Sequence, residues 1–138
     1  MEPPGIPGAE ANRGWCQRGY LQHADHGRLH QSITYRLGDS LPQRVLAQVE
    51  AEVACLSATQ GAKERLRMLG AWLDAGLGSC VLEEPRAAEL VLGNWLHFDG
   101  KRYDPMACVI MPNHVHLLAR TRDGHPLGRM VGSWKSYT

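Results

Sequence analysis

The chain has 138 residues, of which 43% are apolar and 21% charged, with a net charge of +1. That is enough for one domain with a sizeable core and is the composition of an ordinary soluble globular protein. No apolar run approaches the ~18 residues of a membrane helix, and residues 1–14 lack the basic-then-apolar order of a secretory signal, so a cytoplasmic protein without a membrane partner is expected.

Residues 1–14, rich in Pro and Gly, are expected to be a disordered lead-in to a single domain over 15–138. Residues 30–37 alternate: Ile33, Tyr35 and Leu37 share one face, Ser32, Thr34 and Arg36 the other, which predicts a half-buried strand. A helix is expected next, with Ser40 as N-cap, Pro42 near the first turn and Val45, Leu46, Val49, Val53 and Leu56 as its stripe. The spacing of Leu66, Leu69 and Leu73 predicts a second helix over 62–75 with these leucines inward, closed by Gly76. Residues 79–82 are expected as a short strand. A third helix follows Pro85 and carries Ala88, Val91, Trp95 and Phe98 inward, with a tight turn at Asp99-Gly100. Strands over 103–111 and 114–120 are separated by Pro112-Asn113. A fourth helix starts near Pro126 with Leu127, Met130, Val131 and Trp134 on one side, and no closing signal precedes residue 138. This mixture predicts an α+β sandwich, an antiparallel sheet with helices packed on it.

Cys16, Cys55, Cys80 and Cys108 form no C-x-x-C pair, which argues against a zinc ribbon, and Cys55 and Cys108 read as small core residues. The charge is uneven. Arg13, Arg18, Arg28 and Arg36 face only Asp25 within residues 11–36, and Lys101, Arg102, Arg120, Arg122, Arg129 and Lys135 face Asp104 and Asp123 within 101–138. Residues 37–100 are acidic, with nine carboxylates against five basic side chains. If the two basic segments meet in space they make a positive face suited to a phosphate backbone; scattered solvated charge is the plainer alternative.

The informative segment is 109–118. On a strand, His114 and His116 project from one face about 6–7 Å apart at the backbone, while Val115, Leu117 and Ala119 face the core. Two such imidazoles are able to converge on a divalent ion, leaving positions for water and substrate oxygens. A pair of hydrogen-bonded structural histidines explains the same spacing. Helical H-E-x-x-H and deaminase H-x-E patterns are absent. Asn113 is read as shaping the turn before the strand.

Met111-Pro112-Asn113-His114-Val115-His116-Leu117-Leu118 resembles the metal-binding strand of the HUH single-tyrosine transposases, and is most similar to the REP-associated tyrosine transposase branch. Arg18-Gly19-Tyr20-Leu21, 33–37, 39–42, Leu73-Asp74-Ala75-Gly76, His97-Phe98-Asp99-Gly100 with Arg102-Tyr103, and Ser133-Trp134-Lys135-Ser136 resemble further blocks in the family's order, so the likeness covers about residues 14–138. The resemblance implies a ferredoxin-like fold, Mg²⁺ or Mn²⁺ held by His114 and His116, and single-stranded or hairpin DNA as substrate. A tyrosine hydroxyl attacks the scissile phosphate in this family, forming a covalent 5′-phosphotyrosine. Arg36, Arg120 and Lys135 are the expected phosphate contacts, and a homodimer is left open. The family places its nucleophilic tyrosine and a further metal ligand on a helix well downstream, so both are expected beyond residue 138 and no catalytic residue is assigned within the chain. Tyr137 takes the place of an aromatic packing or DNA-facing residue; Tyr20, Tyr35 and Tyr103 read as core or sheet residues. A non-catalytic DNA-binding remnant is the rival reading, and a structural protein with two core histidines a third.

Overall fold

The computed structural model describes residues 14–18 and 21–136. Two antiparallel strands come first, β1 (Gly14–Arg18) and β2 (Leu21–Asp25), paired only with each other. They were not foreseen beyond the likeness around residues 18–21. Residues 1–13 of the expected lead-in, and Tyr20, lie outside the described residues, and Gly14 already belongs to β1. The main sheet consists of β3 (His30–Arg36), β4 (Tyr103–Ile110) and β5 (His114–Thr121), all antiparallel, in the order β3-β5-β4. The two alternating segments are therefore direct neighbours: His30 pairs with Arg120, Thr34 with His116 and Arg36 with His114.

Between β3 and β4 run α1 (Gln43–Val53), α2 (Ala58–Asp74), a 3₁₀ turn over Val81–Glu83 and α3 (Pro85–His97); α4 (Leu127–Ser136) follows β5. The molecule is thus α+β, a three-stranded antiparallel sheet with four helices. Among the described residues no helix is long and apolar enough to cross a membrane.

One face of the sheet carries the core. Ile33, Val115, Leu117 and Ala119 pack there against Leu82, Val91, Trp95, Met130 and Trp134 from the 3₁₀ turn, α3 and α4. Alternation places these strand residues on one side, and the i, i+4 pairs Val91/Trp95 and Met130/Trp134 lay one stripe of each helix over them. A line of polar contacts threads this core. Trp134 Nε1 donates to Tyr103 Oη (2.9 Å), Tyr103 Oη donates to the Trp95 carbonyl (2.7 Å), and Trp95 Nε1 donates to Tyr35 Oη (3.1 Å). Helices α1 and α2 form a hairpin of their own, with Val45, Val49 and Met68 buried and Arg65 paired with Glu50.

Several local expectations are corrected. Ser40 does not cap α1: it is fully buried, its hydroxyl donates to the Leu37 carbonyl (2.8 Å), and Pro42 takes the cap position. Helix α2 begins earlier than foreseen because Ser57 accepts from Gln60 N, and Leu66 is exposed, since the face turned to α1 is that of Gly61 and Met68. Leu56 also lies beyond α1 and is exposed. Residues 79–82 form no strand: Cys80 takes a left-handed conformation (φ 51°) that starts the 3₁₀ turn. Cys55 and Cys108 are exposed, the first after α1 ends, the second on β4 at the edge of the sheet.

Candidate metal centre

On β5, Val115, Leu117 and Ala119 fill the core, so His114 and His116 emerge on the opposite face, as the alternation predicts. Their ring centroids are 4.8 Å apart and their planes nearly perpendicular (85°). The two environments differ. His116 is exposed and lies across from Thr34, whose Oγ1 is 2.9 Å from its Nδ1. His114 is 2% exposed, at the strand's first position, where the end of α2 and the loop after it cover the sheet.

That cover is built by turns held against one another. Leu37 N donates to the Asn113 carbonyl (2.9 Å), Leu82 N to the Pro112 carbonyl (3.1 Å) and Ser79 N to Asp39 Oδ2 (2.7 Å). Gly78 sits here with φ 90°, and a Cβ on it would come within 2.7 Å of the Asp39 carbonyl oxygen, so only glycine lets the two loops approach this closely.

Asn113 does more than shape a turn. Its side chain is buried (1% exposed), and Nδ2 donates to the Leu77 carbonyl (3.0 Å), which only accepts. Oδ1 must then face His114 Nδ1 at 2.8 Å and accept from it. His114 is thereby fixed as the tautomer protonated on Nδ1, with a lone pair on Nε2. Burial, and then the neighbouring His116, hold the His114 imidazole below its ordinary range, with Asp74 opposing; the neutral ring is the form favoured at neutral pH. His116 follows the same plan when its Nδ1–H donates to Thr34 Oγ1, which leaves Nε2 as its donor. Two imidazoles side by side, each with its Nδ1 beside an oxygen, offer two nitrogen donors to a divalent ion. The ion that the resemblance implies would take most of its remaining ligands from oxygens.

Of the expected phosphate contacts, Arg36 and Lys135 meet at this end of the sheet. They line, with His114, Tyr35 and Gly38, a cleft of about 400 Å³. Arg36 is the strand partner of His114, and Lys135 Nζ lies 5.8 Å from the centre of the Tyr35 ring. Arg120 stands at the other end of β5, roughly 20 Å away at ~3.3 Å per residue, in a second cleft of about 380 Å³ shared with Arg28, Lys101 and Arg122. There Arg28 is paired with Asp123 and Arg122 with Asp104. The two basic segments of the sequence therefore do meet, once at each end of β5.

The chain matches no protein-family model, and no curated protein or solved structure is significantly similar to it. What is known of the site rests on its own geometry. Tyr35 and Tyr103 are engaged in the core by Trp95 and Trp134, as expected of sheet residues. Tyr137 lies outside the described residues. Sequence reasoning passed over Thr34 and Asp74 and gave Asn113 only a turn. An Asn directly before a strand histidine was the available signal for Asn113. The blocks that contain the other two gave them no site role, since they reach the histidines only through the fold.

Proposed function

We propose that the chain is the metal- and DNA-binding part of an HUH-type tyrosine transposase, acting on single-stranded or hairpin DNA with Mg²⁺ or Mn²⁺. The observation that carries this is the placement of His114 and His116 on the outer sheet face, their Nδ1 atoms held by Asn113 and Thr34, beside a cleft carrying Arg36 and Lys135. The sheet order supports the ferredoxin-like reading as well: β3 and β4 run parallel with β5 inserted antiparallel between them, and helices fill the β3–β4 connection. A bound divalent ion would polarise a phosphate and stabilise charge developing on it. The chain's own groups hold the phosphate backbone: the guanidinium of Arg36 and the ammonium of Lys135 approach the cleft from β3 and α4 and orient the strand against the histidines.

The rival reading, a DNA-binding remnant that does not cut, is favoured by one observation. Both described tyrosines with known surroundings, Tyr35 and Tyr103, spend their hydroxyls on core hydrogen bonds. The chain is expected to bind a hairpin oligonucleotide weakly, with affinity falling steeply as salt rises, because phosphate contacts release counterions. Arg36→Ala with Lys135→Ala should lower the slope of log affinity against log salt by about 0.7 for each phosphate no longer neutralised. Incubation with hairpin DNA and Mn²⁺ should leave no covalent protein–DNA adduct on a denaturing gel. An adduct abolished by Tyr137→Phe would make this chain a complete nuclease. Failure to bind any single-stranded or hairpin DNA at low salt would remove the transposase reading altogether.

A further inference from the structure

We propose that Asp74 supplies a third ligand to the ion held by His114 and His116, an inference that rests on the metal-site reading of the two histidines. Asp74 is the last residue of α2, and its Oδ1 lies 3.8 Å from His114 Nε2. The contact is not a satisfied hydrogen bond. His114 Nδ1 donates to Asn113 Oδ1, whose own amide is committed to the Leu77 carbonyl, so Nε2 is the ring nitrogen left to face Asp74. At 3.8 Å the two atoms are too far apart for a direct hydrogen bond and near enough to share one ion.

The spacing suits such a cation. Two donors each about 2.1 Å from one ion stand about 3.0 Å apart when cis and about 4.2 Å apart when trans; the observed 3.8 Å lies between the two, and turning the Asp74 carboxylate toward Nε2 brings it to the cis spacing. The position of Asp74 is otherwise unfavourable. A negative charge at the C-terminal end of a helix opposes the helix dipole, and no basic side chain occupies the last turn of α2 to offset it. The side chain is 71% exposed and free to turn, whereas the backbone that carries it is fixed by Gly76 (φ 71°) and by the Asn113 bond to Leu77. Among the described residues no three His, Cys, Asp or Glu side chains are already gathered around one point, so the set closes by rotation of the Asp74 carboxylate. The ligand set becomes two nitrogens and one oxygen, with the remaining positions open to water and phosphate. This oxygen comes from the helix upstream of β5, not from the downstream helix that the resemblance implies.

Mn²⁺ binding to the 138-residue chain tests this directly, followed by the electron paramagnetic resonance of free Mn²⁺ and by calorimetry. Asp74→Asn and Asp74→Ala should each weaken binding about tenfold or more, and His116→Ala should weaken it at least as much. Asp74→Asn within twofold of the parent, with His116→Ala defective, would overturn the role of Asp74 and leave the histidine site standing. No loss in any variant, including the His114→Ala/His116→Ala pair, would overturn the histidine site and Asp74 together. Thermal melts of each variant separate a missing ligand from a damaged fold: Asp74 is exposed, and the isosteric Asn variant should melt with the parent.

Discussion

At the scale of single residues, the proposed centre depends on which nitrogen of each imidazole faces outward. Asn113 settles this for His114 from the adjacent position, and Thr34 Oγ1 meets Nδ1 of His116 from across the β3–β5 pair, leaving Nε2 as its outer nitrogen. Neither would touch the ion. Oxygen partners of this kind orient a ligating ring and raise its basicity. Thr34→Val, which keeps the shape and removes the oxygen, is expected to weaken Mn²⁺ binding about 10–100-fold with little change in melting temperature. Asn113→Ala should lose affinity similarly and also destabilise the fold by about 1–3 kcal/mol, because it leaves the Leu77 carbonyl and His114 Nδ1 without partners in a dry place. Denaturant unfolding beside Mn²⁺ titration separates the two effects. Unchanged Mn²⁺ affinity in Thr34→Val would mean that the hydroxyl bond to His116 is incidental.

At the scale of elements, α4 is the piece that joins the cleft to the core. Trp134 is 1% exposed, stacks near Tyr35 (6.3 Å between centroids) and meets Tyr103 edge-on (5.1 Å), and its indole nitrogen donates to the Tyr103 hydroxyl. Its backbone carbonyl accepts from Asn94 Nδ2 of α3 (3.0 Å). Lys135, the next residue, therefore reaches the cleft only because Trp134 is anchored. Trp134→Ala is expected to cost about 3–5 kcal/mol, the range for deleting a buried large aromatic, and to lower DNA affinity along with stability. Lys135→Ala should lower affinity and leave the melting temperature in place. A Trp134→Ala protein as stable as the parent would show that α4 does not depend on this packing. The spacing of Leu127, Met130, Val131 and Trp134 made the helix legible from sequence. The bond to Tyr103 was not, since 31 residues separate the partners.

Across the whole molecule, the aromatic line from Tyr35 through Trp95 and Tyr103 to Trp134 ties β3, α3, β4 and α4 together, and its two tyrosines are expected to make stability fall at alkaline pH. Burial pushes the Tyr35 hydroxyl up to about 12, outweighing the hydrogen bond from Trp95, and raises that of Tyr103 as well. Unfolded phenols ionise near 10. Between about pH 10 and 12 the folded state therefore keeps protons that the unfolded state has released. Stability is whole below pH 10 and falls as pH rises through that window. Chemical unfolding at pH 8 and pH 11 should show the loss, and Tyr35→Phe should reduce it; equal pH dependence in the variant would place the loss elsewhere.

Alternation was sufficient to mark residues 30–37 and 114–120 as strands and to turn the two histidines to one side, because strand periodicity dictates which face each side chain takes before any partner is known; their direct pairing came from the fold. Helical spacing likewise marked Val91, Trp95, Met130 and Trp134 as core. The failures have a common cause. Leu66, Cys55 and Cys108 lie in apolar stretches that local pattern assigns to the interior, and whether anything covers such a stretch depends on where distant elements dock. The same holds at the centre. Thr34 and His116 are 82 residues apart and Asn113 and Leu77 are 36. Asp74 comes to His114 only because a helix end and a strand start are brought together by loops folded on each other. Periodicity is a property of neighbours along the chain, whereas a metal site is a property of neighbours in space.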